Sequence, residues 1–225
     1  MRQRSQQPAW ICRHKTGKQT VNYKQLKEAI LTMASLLREK DIGVGDAVGI
    51  TAPNGPHWCV AALASWKVGA SIAPIHINNS EHEIDQQIAA IDPKIMLAHE
   101  SRLEYRNTLT ISLDADHDRV AQERATMDEV DPDSVAARIY TSGSTGDPKV
   151  VKLSHSNMTS NTVAARKLAT FSADDRFISL LPLSHVMGIL GTILILWTTA
   201  LSWSHPEFWQ PMRSLKRWNR KTFRS

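Results

Sequence analysis

The segment of this 225-residue chain that is best suited to chemistry is residues 140–149, which read YTSGSTGDPK. Gly143 and Gly146 permit positive φ and a close backbone approach, so successive N–H groups can form an anion nest. Lys149 adds a positive charge at the end of the segment. Four hydroxyl groups can donate to anionic oxygens, and they belong to Thr141, Ser142, Ser144 and Thr145. The segment therefore predicts a loop that grips a polyphosphate.

A Ser/Gly-rich surface turn is a simpler interpretation of residues 140–149. It explains any four of these residues, but ten ordered positions between two strand patterns favour phosphate binding. The segment is not a Walker A loop, because Val150 stands where that loop needs Ser or Thr after its lysine. Residues 43–49, GVGDAVG, precede a strand pattern, whereas the dinucleotide fingerprint must follow one. They predict a helix–strand turn.

The elements that must position this loop alternate between helix and strand patterns. Asn22 with Gln25, and Ser80 with Glu83, form capping boxes that predict two helix starts. Strands are predicted at 47–52, 71–75, 94–98, 135–140, 150–153 and 177–181, and further helices at 56–68 and 154–169. Residues 113–134 are acidic and polar and predict an exposed connection. The alternation predicts an α/β fold with a parallel-rich sheet and flanking helices.

Residues 140–157, YTSGSTGDPKVVKLSHSN, resemble the phosphate-loop signature of the adenylate-forming superfamily, which includes acyl-CoA synthetases. Residues 16–26, 42–58 and 66–84 match earlier segments of that superfamily in order and spacing. LPLSHVMG, residues 181–188, resembles its next motif, where a histidine lies near the acyl-binding pocket. The resemblance covers roughly residues 8–200. It predicts an incomplete N-terminal adenylate-forming domain over residues 1–207, followed by a basic tail over 208–225.

The resemblance implies a two-step reaction. A carboxylic acid substrate attacks the α-phosphate of ATP, which releases pyrophosphate and gives an acyl-adenylate, and a thiol such as coenzyme A then takes the acyl group. His185 would help to shape the carboxylate pocket, and Mg²⁺ would bridge the triphosphate. The β- and γ-phosphates would be contacted by Thr141, Ser142, Gly143, Ser144, Thr145, Gly146 and Lys149. No protein ligand to a metal is assigned.

The chain departs from the superfamily pattern in two respects. Val150 replaces the usual glycine after the loop lysine, and a β-branched residue restricts the backbone there to extended conformations. The later motifs for adenine, ribose and a catalytic lysine do not occur: no Thr-Glu dipeptide is present, and the Thr-Gly-Asp at 145–147 belongs to the loop. The sequence therefore predicts a truncated or frameshifted member, and a non-catalytic nucleotide-binding remnant or interaction protein is the alternative function.

The charge and the cysteine content limit which binding partners and which cellular compartment the sequence predicts. The net charge is +5, but six of the basic residues and no acidic residue lie in 211–225, which leaves the body with 21 basic and 22 acidic residues. A nucleic-acid-binding body is therefore not expected. Two cysteines, Cys12 and Cys59, fit free thiols in a reducing compartment, and the N-terminus lacks an apolar signal region. We expect a cytoplasmic protein.

Residues 177–206 contain no Asp, Glu, Lys or Arg. Residues 186–203 are long enough to cross a bilayer and basic residues follow them, so a C-terminal membrane anchor is one interpretation. The favoured interpretation is a strand, a loop and a buried helix, because Pro182, Ser184 and His185 interrupt the apolar run. An apolar surface left uncovered there predicts peripheral membrane association through 177–225. Neither the acyl substrate nor the oligomeric state can be read from the sequence.

Overall fold

The computed structural model describes residues 5–14, 17–99, 108–111, 115–125, 130–141, 149–168, 175 and 177–194. Eight strands form two sheets. They are β1 (Pro8–His14), β2 (Gly17–Asn22), β3 (Ala47–Thr51), β4 (Ser71–Pro74), β5 (Ile95–Ala98), β6 (Thr108–Thr110), β7 (Val135–Thr141) and β8 (Lys149–Ser154). The larger sheet has six strands in the order β6-β5-β3-β4-β7-β8, and β1 and β2 form a separate antiparallel pair.

The helices follow the predicted alternation with the strands. They are α1 (Tyr23–Glu39), α2 (Pro56–Lys67), α3 (Glu81–Ile91), α4 (His117–Ala125), α5 (His155–Leu168) and the short α6 (Val186–Gly188), which continues into a π-helix at Ile189–Leu194. All neighbouring pairs of the larger sheet are parallel except β7–β8, which is antiparallel. The predicted α/β class with a parallel-rich sheet and flanking helices is confirmed, and the strands predicted at 135–140 and 150–153 correspond to the antiparallel pair β7 and β8.

Both predicted capping boxes are present. The Asn22 side chain accepts from the Gln25 N–H at 2.8 Å, and the Gln25 side chain accepts from the Asn22 N–H at 3.0 Å. Ser80 and Glu83 repeat this exchange at the start of α3, at 3.3 and 2.8 Å. Each box satisfies two N–H groups that the first helical turn leaves without a partner. The helix starts are therefore set by local sequence.

The sheet separates two apolar layers because strand side chains alternate in direction. On one face, Val48 and Ile50 of β3 join the large core that contains α1 and α2. On the other face, Ala47 of β3 packs with Ile91 of α3, and Met96 of β5 packs with Ile84 of α3. Strands covered on both faces are expected in a parallel sheet, and they explain the nearly continuous apolar runs in the sequence.

Two predictions from the sequence, for residues 113–134 and for residues 177–181, were wrong. Residues 113–134 were expected to be an exposed connection, but they contain α4, whose Val120 and Glu123 are buried. Residues 177–181 were expected to form a strand, but the described part of this stretch, residues 177–181, forms none, and Ile178 and Leu180 are exposed. An apolar run with β-branched residues favours a strand only where a neighbouring strand can pair with it.

Glu123 joins three helices from inside the protein. Its carboxylate contacts Arg38 of α1 at 3.2 Å and Lys67 of α2 at 3.2 Å, while the Glu123 side chain is only 2% exposed. Two cations on one buried carboxylate offset the cost of removing it from water. This ion cluster fixes α4 against the other two helices.

Candidate functional site

The candidate site lies at the edge of the sheet where the parallel strands end. Connections leave this edge after Thr51 of β3, Pro74 of β4, Ala98 of β5 and Thr141 of β7. Ligands of open α/β sheets bind outside the carboxyl ends of the strands. The predicted phosphate loop therefore begins at the edge where this fold is expected to bind a ligand.

The two ends of that loop are held together by β7 and β8. Thr141 and Lys149 are paired residues of the antiparallel ladder, and the Thr141 hydroxyl donates to the Lys149 carbonyl at 3.3 Å. Both residues are exposed. The remaining predicted loop residues, Ser142, Gly143, Ser144, Thr145 and Gly146, lie outside the described residues. The structure thus brings Thr141 and Lys149 together at the base of the seven-residue segment 142–148.

Val150, which departs from the superfamily pattern, has a packing role. It pairs with Tyr140 across the ladder, and both side chains pack against the cluster of Ala47, Ala73 and Ile91. A branched side chain fits this extended, half-buried position. The base of the loop is therefore tied to the α3 face of the sheet by apolar contact as well as by the ladder.

A second segment reaches the same edge from a distant part of the chain. Residues 177–185, which we call the strap, contact Asn54 in the connection between β3 and α2. The Asn54 Nδ2 donates to the Leu181 carbonyl at 2.8 Å, and its Oδ1 accepts from the Leu183 N–H at 2.8 Å. The Leu183 side chain is fully buried in the large core. One exposed amide therefore fixes the course of the strap beside the end of β3.

His185 stands at the end of the strap and caps α6. Its backbone N–H donates to the Pro182 carbonyl at 3.0 Å, and its Nδ1 accepts from the Met187 N–H at 3.3 Å. The side chain is exposed. Among the described residues, no hydrogen bond joins His185 to Thr141 or Lys149. The structure thus places His185 on a tethered segment of its own.

Sequence reasoning missed Asn54 as a site residue. Pro53, Asn54 and Gly55 indicate a turn, and no local signal reveals a partner 129 residues later in the chain. It also missed the edge-to-face packing of His57 on His99, whose ring centroids are 5.0 Å apart. His57 is the second residue of α2 and His99 follows β5, so it is the parallel sheet that brings these rings together.

His155 is the first residue of α5. Its ring lies edge-on to Trp66 with centroids 6.2 Å apart, and the Trp66 indole N–H donates to the Ala136 carbonyl at 2.8 Å. The His155 Nε2 is buried and makes no hydrogen bond. Burial lowers the pKa of His155 from 6.5 to about 4, against a smaller opposing effect of Asp131. The folded protein therefore favours the neutral form of the His155 imidazole.

This lowered pKa predicts an acid-dependent loss of stability. In the unfolded chain His155 binds a proton below pH 6.5, whereas in the folded chain its imidazole stays neutral down to about pH 4. The free energy of unfolding should therefore fall as the pH drops through this window, by at most about 3 kcal/mol. Denaturant unfolding of His155→Gln across pH 4–7 should show a flatter profile than the wild type. The matched control, His117→Gln at an exposed position, should keep the wild-type slope, and equal slopes in all three proteins would contradict the prediction.

The comparisons with known proteins decide the family. The model of the family described as AMP-binding enzyme matches residues 1–218. The chain belongs to the AMP-binding enzyme family. It is 27% identical over 198 residues to oxalate–CoA ligase of Arabidopsis thaliana, covering 80% of this chain and 38% of the relative. It is 27% identical over 177 residues to feruloyl-CoA synthase of an Amycolatopsis species, covering 77% of this chain and 36% of the relative.

Solved structures of the AMP-binding family agree with this fold. ATP-bound MatB from Rhodopseudomonas palustris superposes with a TM-score of 0.70 at 26% identity, covering 86% of this chain and 41% of MatB. The chain therefore spans about two fifths of the length of these AMP-binding relatives. The fold and the family resemblance predicted from the sequence are both confirmed.

The stretch that suggested a membrane anchor is only partly described. Residues 186–194 form α6 and the π-helix, with Ile189, Ile193 and Leu194 buried in the large core, and residues 195–203 lie outside the described residues. Within the part of the chain that the structure describes, no helix has the length and apolar character that a bilayer crossing requires.

Proposed function

We propose that this AMP-binding protein takes part in the ATP-dependent activation of a carboxylic acid as an acyl-adenylate, for transfer to coenzyme A. The observation that carries the proposal is the closed base of the phosphate loop at the carboxyl edge of the sheet, where Thr141 and Lys149 face each other. Two curated relatives are named as acid–CoA ligases, and one structural neighbour is described as bound to ATP. These names support the substrate class.

In this proposal the chain holds the nucleotide and directs the acid towards it. The loop from Thr141 to Gly146 donates hydrogen bonds to the β- and γ-phosphates, and the Lys149 ammonium offsets their charge. The carboxylate oxygen of the acid attacks the α-phosphorus, the bond to the bridging oxygen breaks, and pyrophosphate leaves. His185 shapes the carboxylate side of the pocket. A thiol then attacks the acyl carbon and AMP leaves.

Mg²⁺ would accompany the triphosphate as it does in most phosphoryl-transfer sites. Over the described ranges, no group of three or more His, Cys, Asp or Glu side chains could hold a metal ion. In this proposal no side chain of the chain is assigned as a ligand to the ion, which would neutralise charge on the triphosphate. Domain limits of 1–207 and 208–225 and a cytoplasmic location remain part of the proposal.

Removing the Lys149 ammonium should weaken nucleotide binding. Titration of the full chain with ATP and Mg²⁺, followed by calorimetry, should give a dissociation constant at least about tenfold higher for Lys149→Ala than for the wild type, since a charge-assisted hydrogen bond contributes about 1.5–3 kcal/mol. The control is Lys152→Ala, which removes the same charge from an exposed position of the same strand. The proposal fails if the wild type does not bind ATP, or if both variants weaken binding equally.

A non-catalytic nucleotide-binding role is the second candidate function. It needs only the base of the phosphate loop, where Thr141 and Lys149 are paired, and no step of the reaction. Pyrophosphate exchange into ATP, measured with a panel of carboxylic acids, separates the two functions. Acid-dependent exchange supports the ligase, whereas ATP binding that is lost in Lys149→Ala without any exchange supports the non-catalytic role.

A further inference from the structure

We infer that Asn54 is a positioning residue that sets His185 relative to the phosphate loop. The inference rests on the proposed function for its link to acid activation. Asn54 lies three positions beyond Thr51, the last residue of β3, and directly before Gly55, the N-cap of α2. It is therefore held on the rigid carboxyl edge of the sheet, at which the phosphate loop also begins.

The Asn54 amide is matched to two opposite backbone groups of the strap. The Nδ2 donates to the Leu181 carbonyl and the Oδ1 accepts from the Leu183 N–H, both at 2.8 Å. A further, longer contact joins Nδ2 to the Ser179 hydroxyl at 3.4 Å. A side-chain amide supplies both a donor and an acceptor, whereas a carboxylate only accepts. The two contacts therefore match the chemistry of asparagine and would not both be made by aspartate.

The strap transmits this position to His185 through short links. The residue after Leu181 is Pro182, whose carbonyl accepts from the His185 N–H at 3.0 Å. Beyond it, the Gly188 N–H donates to the His185 carbonyl at 2.9 Å. The backbone of His185 is thus held from both sides, with one residue, Ser184, between it and Leu183, the nearer residue of the Asn54 contact. A shift of the strap at Leu183 must move the His185 ring.

These contacts are weak, so we expect Asn54 to set the position of the strap and to contribute little to the stability of the core. Each exposed hydrogen bond contributes only about 0.5–1.5 kcal/mol. The apolar anchor of the strap is the Leu183 side chain, which is fully buried in the large core. Replacing Asn54 should therefore change the population of the correct strap position while the sheet and its helices remain folded.

Two variants and one control test the inference in the full chain. Asn54→Ala loses both contacts, and Asn54→Asp keeps the acceptor but loses the donor. The control is Asn78→Ala, in the connection after β4, because Asn78 is exposed and only its backbone N–H is bonded, to the His76 ring. Each protein is compared by amide hydrogen exchange, by the NMR signals of the His185 ring, and by pyrophosphate exchange.

In Asn54→Ala we expect the Leu183 amide to exchange about tenfold faster and the His185 ring signals to move, with β3–β5 unchanged. Asn54→Asp should show a smaller increase at Leu183. In pyrophosphate exchange, the KM for the acid should rise several-fold in Asn54→Ala while the KM for ATP stays within twofold, and Asn78→Ala should match the wild type. A merely structural role would change both KM values together or neither.

The failure of this inference is distinguishable from the failure of the proposed function. Unchanged Leu183 exchange and His185 signals in Asn54→Ala overturn the positioning role, whatever the activity of the chain. Altered strap signals with an unchanged acid KM also overturn it, because His185 would then have moved without consequence. A wild type that neither binds ATP nor exchanges pyrophosphate overturns the proposed function, and the role of Asn54 in placing His185 is then decided by the exchange and ring signals alone.

Discussion

Glu123→Gln should lower the free energy of unfolding by about 3 kcal/mol. The substitution keeps the shape of the side chain but leaves Arg38 and Lys67, whose side chains are 29% and 20% exposed, without the buried carboxylate that they share. Breaking a buried ion pair from one side generally costs about 3–5 kcal/mol. The lower end applies because both cations keep partial contact with water. Urea unfolding at neutral pH measures the effect.

The matched control for this prediction is Asp118→Asn on the same helix. Asp118 is exposed and carries the same charge, so its substitution should change the free energy of unfolding by less than about 0.5 kcal/mol. A similar loss in both variants would show that net charge, and not the buried cluster, accounts for the result. Raising the ionic strength should reduce the Glu123 effect only slightly, since buried pairs are screened less than exposed ones.

Gly188→Ala should displace α6 from the strap. A Cβ at this position would overlap the Pro182 carbonyl oxygen and lie 2.7 Å from the Pro182 carbonyl carbon and 3.2 Å from the Leu183 Cα. These are backbone atoms, so no rotamer change can relieve the overlap. Overpacking of this kind costs about 1–3 kcal/mol. We expect the Ile189 amide, which donates to the His185 carbonyl at 3.1 Å, to lose most of its protection from hydrogen exchange.

Gly191→Ala is the control for the Gly188 prediction, because a Cβ at Gly191 would meet no atom within 4 Å. Both glycines belong to the same short helical stretch, so helix propensity acts alike at the two positions. The prediction is wrong if Gly191→Ala reduces the protection of Ile189 as much as Gly188→Ala does. It is also wrong if neither substitution changes it.

The part of the fold that the sequence predicts is the part that local rules determine. The boxes at Asn22 and Ser80 specify helix starts because their hydrogen bonds span only three residues. Apolar runs such as 47–51 predict buried strands because both faces of a parallel sheet are covered. For α4 the rule fails, since its composition is polar and the buried residues within 117–124 are one valine and one ion-paired glutamate. A helix that is held in place by an ion cluster shows no apolar periodicity from which it could be predicted.

In the candidate site, too, some features are predicted by local sequence and others are not. Thr141 and Lys149 are predicted as neighbours because they flank one short loop between two strands. His185 is indicated only by its motif, and its tether to Asn54 depends on a contact between residues 127–129 positions apart in the chain. The five inner loop residues from Ser142 to Gly146 lie outside the described residues, so their role stays a prediction. Long-range pairing of this kind follows from topology, which local patterns do not encode.

The helices and the strap are fastened in different ways, and this difference has a mechanical consequence. Glu123 joins α1, α2 and α4 through a buried ion cluster. The strap is held by the buried Leu183 side chain and by the solvent-facing amide of Asn54. If the molecule changes shape, we expect the strap to move more than the three helices that share the buried ion cluster. His185 lies at the end of the strap, so we expect it to move together with the strap.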